Sequence, residues 1–201
     1  MQAPHHVALG DEQLVDRVRA GDPVAFASLV HRYSGRLYGL ARGMLRDEQD
    51  ARDVVQETFL HVHRRLDGFR GDSSFRTWLF RIATNAALMR LRRRRRKPES
   101  SLDEPAPWSE GDEGGPREVA DLRPLADQVH QDRELGEQIR AAVQALPETY
   151  REVLLLADYQ QLSMLEIAQV LGISVPNVKT RLHRARLAVR ASLRTYMAGE
   201  R

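Results

Sequence analysis

The sequence predicts an all-α protein. Two small helical domains are joined by a flexible acidic linker, and the C-terminal domain contains a helix-turn-helix. Three observations carry this. Strand signals are almost absent, with no alternating β-branched and aromatic runs around an Asn-Gly or Asp-Gly turn. Apolar residues recur at helical spacing on both sides of one polar stretch. That stretch, KPESSLDEPAPWSEGDEGGPREVADLRP, holds five prolines and three glycines. It has too few large apolar residues to offset the entropy of ordering. The expected organisation is a first domain at 11–96, a linker at 97–130 and a second domain at 131–196.

Four helices are expected in the first domain. Asp11 to Ala20 ends at Gly21, and Pro23 to Leu45 starts on a proline suited to a first turn. Asp47 to Leu66 follows, then the break DGFRGDS. Ser74 caps a last helix that runs from Phe75 into LRRRRRKP. Projected at about 100° per residue, the third helix gathers Ala51, Val55, Phe59, Val62 and Leu66 on one face. Asp50, Asp53, Gln56 and Glu57 lie on or near the opposite face. Negative charge on a DNA-binding domain should face away from DNA. This face is therefore either a dock for a basic protein surface or an ordinary solvated face.

On the fourth helix, Phe75, Trp78, Leu79, Ile82, Ala86 and Met89 form the expected packing stripe. Arg81, Thr84, Asn85 and Arg92 gather on the other side. Donors and acceptors beside cationic groups suit base edges and phosphates together. The arginine run alone is also compatible with a solvated helix end or a localisation tag. Phe69 sits in the loop before this helix, between glycines. It either stacks on an unpaired base or tucks back into the core.

The second domain also offers four helices, at Asp132 to Leu146, Pro147 to Tyr159, Met164 to Leu171 and Val175 to Tyr196. Ser163 and Glu166 form a capping box that starts the short third helix. Gly172 ends it, Ser174 caps the next, and Pro176 falls in a first turn where its missing N–H costs nothing. Val178, Leu182, Ala185 and Val189 make a buried stripe within about 60° of arc. Thr180, His183, Arg184 and Leu187 point the opposite way, flanked by Lys179, Arg186 and Arg181. A buried stripe behind a basic outer face is what a major-groove helix needs. Ser174 and Asn177, beside the turn, sit where phosphate contacts form. A purely structural hairpin is the alternative. The tight glycine turn and the concentrated positive charge favour DNA.

Net charge is +3, but its distribution says more. Arg81 to Lys97 holds 8 basic and no acidic residues, Glu99 to Glu137 holds 12 acidic against 3 basic, and Ser163 to Arg201 holds 7 Lys/Arg against 2 acidic. Such asymmetry points to a polyanion, nucleic acid ahead of membrane. With no cysteine, disulfides, thiol catalysis and Cys-ligated zinc are excluded. His61 and His63 point about 200° apart on a helix and cannot share a metal, so no metal and no cofactor are expected. There is no nucleophile–base arrangement or phosphate-cradling loop, so no enzyme is expected. No signal peptide or membrane span is legible, and the expected location is the cytoplasm.

Two strings then resemble a known family. DVVQETFLHVHRRLDGFRGDSSFRTWLFRIATNAALMRLRRRRRK resembles the second conserved region of bacterial sigma factors. LPETYREVLLLADYQQLSMLEIAQVLGISVPNVKTRLHRARLAVR resembles the fourth. Their order around a short linker resembles the extracytoplasmic function (ECF) group, and the match covers residues 11 to 96 and 132 to 195. The resemblance implies a protein that binds the largest subunits of core RNA polymerase, recognises −35 and −10 promoter DNA, and helps open it. Asp53, Gln56 and Glu57 would meet polymerase. Phe69 and its loop, with Asn85, would hold a flipped base of the non-template strand, and Arg81, Arg92 and the arginine run its backbone. Lys179, Thr180, His183 and Arg184 would read the −35 groove, while Ser174, Asn177, Arg181 and Arg186 contact phosphate. An anti-sigma factor as partner and an envelope- or stress-response regulon are further implications. So is a linker path through a basic polymerase channel. Pro176-Asn177 stands where the family often has Gly-Thr, and His183 occupies a variable position. The competing readings are a dimeric, stand-alone helix-turn-helix regulator and, with less to support it, a nucleic-acid-processing enzyme.

Overall fold

A computed structural model describes residues 9–96 and 133–199. The expected linker at 97–130 lies outside the described residues. Every regular element among the described residues is helical, and the chain divides into two compact units near Arg94 and Arg95. The first contains α1 (Asp11–Arg19), α2 (Pro23–Leu45), α3 (Glu48–Arg65), a 3-10 turn at Leu66–Gly68 and α4 (Phe75–Arg96). The stretch 133–199 contains α5 (Arg133–Ala145), α6 (Glu148–Leu154) with a wide π turn at Leu155–Tyr159, α7 (Met164–Leu171), whose end from Ala168 is grouped with the first unit, and α8 (Val175–Gly199). No described helix is long and apolar enough to cross a membrane.

Side-chain caps set the starts of helices. Asp22 accepts from the amides of Val24 and Ala25 ahead of Pro23. Asp47 accepts from the Asp50 amide at 2.8 Å, and Ser74 from the Thr77 amide at 3.1 Å. In the second unit the capping box closes both ways. The Glu166 amide donates to the Ser163 hydroxyl at 3.3 Å, and the Ser163 amide to the Glu166 carboxylate at 2.8 Å. Each such cap satisfies an amide that the helix cannot. At the other end of α5, the buried Arg151 guanidinium donates to the carbonyls of Gln144 and Leu146, both at 2.7 Å.

The first core is built on α2, whose Ala25, Leu29, Tyr33, Leu37, Leu40, Ala41 and Met44 are buried at three- and four-residue intervals. Tyr33 meets the rings of Phe75 and Phe80 edge-on at 6.0 and 6.4 Å. Its hydroxyl donates to Asp11. Burial, then that hydrogen bond, holds the phenol well above its ordinary titration range, so it stays a donor. Arg32 completes the tie, 2.5 Å from Asp11, and fastens α1 to α2.

The stripe expected on α4 is rotated. Phe75 and Leu79 are buried as expected, but the remaining buried positions are Thr77, Phe80, Ala83, Thr84 and Ala87. Trp78, Ile82 and Ala86 are half-buried, and Met89 is 53% exposed. Small Ala and Thr side chains let this face approach its neighbours, where a projection by size favoured the larger residues. On α3, Val54 and Thr58 are buried, and Val55 is only half-buried.

In the second unit the stripe on α8 is as expected: Val178, Leu182, Ala185 and Val189 are buried, with Leu193 beyond them. The expected single helix from Pro147 to Tyr159 instead ends in the π turn, and the Leu162 amide reaches back to the Leu156 carbonyl at 3.0 Å. Asp158 leaves this turn to face α8. Its carboxylate receives both Nε (3.2 Å) and Nη2 (2.5 Å) of Arg186. Arg181 points the same way, 3.5 Å from Glu152. These pairs hold α8 against α6.

Two stability outcomes follow. Gly172 has φ of +68°, so Gly172→Ala should cost about 1 kcal/mol by denaturant titration, from backbone strain alone. The Arg186 and Asp158 side chains are 18% and 8% exposed. Asp158→Ala should therefore cost about 2–3 kcal/mol by removing the carboxylate that receives both Nε and Nη2 of Arg186. The double replacement with Arg186→Met should cost less than the sum of the single ones.

Candidate nucleic-acid interface

Two sets of residues on α4 matter to the site. Arg90 and Arg94 turn toward α3. Arg90 lies 3.3 Å from Asp50 and 3.6 Å from Asp53 through Nη1, and 2.5 Å from Glu57 through Nη2. Arg94 pairs with Asp50 and with Asp47 at 3.4 Å, and donates to the Leu45 carbonyl at 3.3 Å. The Asp47 carboxyl is held below its ordinary value first by the Asp50 amide and then by Arg94's charge. Arg81, Arg92 and Arg93 stand exposed on the other side, as does Asn85, while Arg94 is exposed but engaged with α3. The structure thus brings Arg81, Asn85 and Arg92 out to solvent.

It does not bring Thr84 with them. Thr84 is fully buried and its hydroxyl finds no partner among the described residues. It sits on the packing face, opposite to the side it was expected to share with Arg81 and Arg92. Asp50 also differs from expectation, because its carboxylate is 22% exposed and pairs with both arginines. Gln56 and Glu57 are exposed and Asp53 is half-buried.

Beside these acids lies a feature the sequence reading missed. An open groove of about 680 Å³ runs between α2 and α3, walled by Phe26, Val30, Tyr38, Val55, Phe59 and Leu60. Leu60 is 45% exposed. The signal was available in an apolar residue on the polar side of α3. Arg90 was missed too, because a count of basic residues does not tell inward from outward ones.

Phe69 packs its ring on Trp78 at 5.1 Å and meets Phe75 edge-on at 6.1 Å. It remains half-buried and lines a small cleft of about 180 Å³ with Arg70, Gly71 and Ser73. Gly71 turns this loop with φ of +78°.

On α8, Lys179, Thr180 and Arg184 are exposed and His183 is half-buried. Ser174 and Asn177 are exposed beside the turn, where the Ser174 hydroxyl accepts from the Asn177 amide at 3.4 Å. Arg184 lies 3.4 Å from the Tyr150 hydroxyl. Arg181 and Arg186, expected to reach phosphate, are instead engaged with Glu152 and Asp158. Their guanidiniums orient the helix from behind.

The comparisons agree with this geometry. The family model for Sigma-70 region 2 matches residues 29–97, and that for Sigma-70, region 4 matches residues 136–189. The RNA polymerase sigma-H factor of Pseudomonas aeruginosa is 40% identical over 185 residues, spanning 91% of this chain and 93% of its own. The ECF RNA polymerase sigma factor SigW of Bacillus subtilis is 37% identical over 180 residues, spanning 90% and 95%. Among solved structures, CnrH in complex with the cytosolic domain of CnrY is similar at a TM-score of 0.65 and 30% identity, covering 92% of this chain and 97% of that one. Acidic and basic helices in one unit and a helix-turn-helix in the other thus coincide with both matched regions, and the chain belongs to the ECF group of the sigma-70 family, the RNA polymerase sigma factors that direct transcription initiation.

Proposed function

We propose that the exposed face of α3 docks on core RNA polymerase, that α4 and the Phe69 loop engage the −10 element, and that α8 reads the −35 element. The observation that carries this is the two-faced first unit. One surface offers Asp53, Gln56 and Glu57 beside an apolar groove, and another offers Arg81, Asn85, Arg92 and Arg93. An exposed apolar groove on the helix that also carries Asp53 and Glu57 suits an amphipathic helix of a large partner.

The exposed arginines of α4 hold the backbone of the −10 strand. Asn85 lies seven residues past Trp78, about 10 Å along the helix. Asn85 and Phe69 therefore serve neighbouring nucleotides rather than one base. On α8, Lys179, Thr180, His183 and Arg184 face the major groove, and Ser174 and Asn177 face phosphate. Residues 11–96 and 131–196 act as the two working domains, with 97–130 joining them. An anti-sigma factor controls the protein, and the apolar groove beside α3 is the surface it would cover; the similar CnrH is itself held in complex with the cytosolic domain of CnrY. The protein works in the cytoplasm without catalytic activity of its own, in an envelope- or stress-response regulon. No observation favours the stand-alone regulator.

Run-off transcription with purified core polymerase, on genomic fragments that include this gene's upstream region, tests the reading. Specific transcripts are expected with the wild-type chain. Glu57→Lys should abolish them while leaving far-UV circular dichroism unchanged. Tight duplex binding by the chain alone in a gel shift, with no transcripts, would instead establish a stand-alone regulator. On a transcribed promoter, Arg184→Ala should relax base preference in the −35 element by about tenfold at one position. Arg92→Ala should weaken all promoters alike and lower the salt slope by about one.

A further inference from the structure

Helix α1 has no role in the reading above, yet its last residue reaches the loop between α3 and α4. Arg19 donates from Nε and Nη2 to the Leu66 carbonyl at 3.4 and 3.2 Å. Nη2 also donates to the Phe69 carbonyl. The guanidinium carbon stands 5.9 Å from the Phe69 ring centroid, within reach of a cation–π attraction. Asp16, one turn earlier, lies 3.7 Å from Nη1 and steadies the group from behind.

One planar fork therefore holds both the start of the loop and the aromatic residue at its centre. A lysine would not reproduce this: its three rotatable donors on a flexible stem can reach carbonyls, but it has no planar fork to hold both carbonyls while lying against the ring. Within the loop, Phe69's amide donates to the Leu66 carbonyl at 3.1 Å. The cleft beside Phe69 has Glu12, Asp16 and Arg19 on one side and Phe69, Arg70 and Ser73 on the other. Helix α1 is thus one wall of the cleft, and the loop is the other.

We propose that Arg19 is a positioning residue for −10 recognition, holding Phe69 and its loop in the shape that accepts an unpaired base. This rests on the reading that the loop engages the −10 strand. Arg19's donors are directed at protein groups, so its effect falls on base discrimination. An arginine on phosphate would weaken all sequences equally and change the salt slope.

The test uses holoenzyme assembled from core polymerase and the full-length chain. Its probe is a fork-junction DNA whose single-stranded non-template −10 segment is randomised, with bound molecules sequenced. Phe69→Ala should flatten the base preference at one position. Arg19→Ala should flatten that same position about tenfold, the scale of one or two lost hydrogen bonds, with total binding falling less. Arg19→Lys should not restore it. Arg19→Gln is expected to show the same loss and replaces the alanine variant if that chain does not fold. If Phe69→Ala flattens the preference and the Arg19 variants keep it, the inference alone is overturned. If Phe69→Ala has no effect, the reading fails and takes the inference with it. A uniform loss across sequences, with a salt slope smaller by about one, would make Arg19 a phosphate contact and overturn the positioning role.

Discussion

In both units an arginine on the basic helix turns inward to a carboxylate on a neighbouring helix, and the outward faces depend on that choice. Arg90 meets Asp50, Asp53 and Glu57, and Arg186 meets Asp158. Such pairs, partly withdrawn from water, are costly to break one partner at a time. They therefore select a rotation of the helix. On α4 this matters especially, because apolar residues lie nearly all round it, from Phe75 and Trp78 to Leu88 and Met89. Packing alone leaves several rotations close in energy. The fork of Arg90 onto α3 favours the one in which Phe80, Ala83 and Ala87 go inward and Arg81 and Arg92 go outward.

The same pairing tunes the acidic face. Three carboxylates along one side of α3 repel one another, and a like-charge pair four residues apart costs a few tenths of a kcal/mol. Arg90 offsets that repulsion without covering the groove beside it. Asp50 becomes mainly structural, whereas Glu57 stays 56% exposed and open to a second partner. The proposed docking and DNA-facing surfaces would thus share one internal hinge of charge. A partner that draws on Glu57 acts on the residue that sets the orientation of α4.

Local chemistry was the most legible part of the sequence. The bounds of α2 and α7, the capping box at Ser163 and the Gly172 turn follow from proline, glycine and hydroxyl side chains acting on their own backbone. The buried stripe of α8 also follows from spacing, because its apolar and charged residues separate cleanly by position. What was not legible depends on neighbours. The burial of Thr84 depends on which face of α4 packs. The inward turn of Arg181 and Arg186 depends on the π turn that presents Asp158, and nothing in LLADYQQ marks that turn. The groove between α2 and α3 is a property of two helices and belongs to neither sequence alone.

The inward arginines also explain why such a protein depends on polymerase. Each phosphate neutralised contributes about 0.9 to the logarithmic salt slope of binding, so cations spent inside the protein are lost to DNA affinity. With Arg90 and Arg94 paired to α3, and Arg181 and Arg186 to α6, each unit on the proposed reading would grip DNA with a small outward set. A grip that small is weak at physiological salt. Joining two weak contacts on one rigid support raises their combined affinity by orders of magnitude without a new contact. Core polymerase, held by α3, would be that support. On the proposed reading, the structural arginines would thereby make sequence-specific binding conditional on the complex in which it is useful.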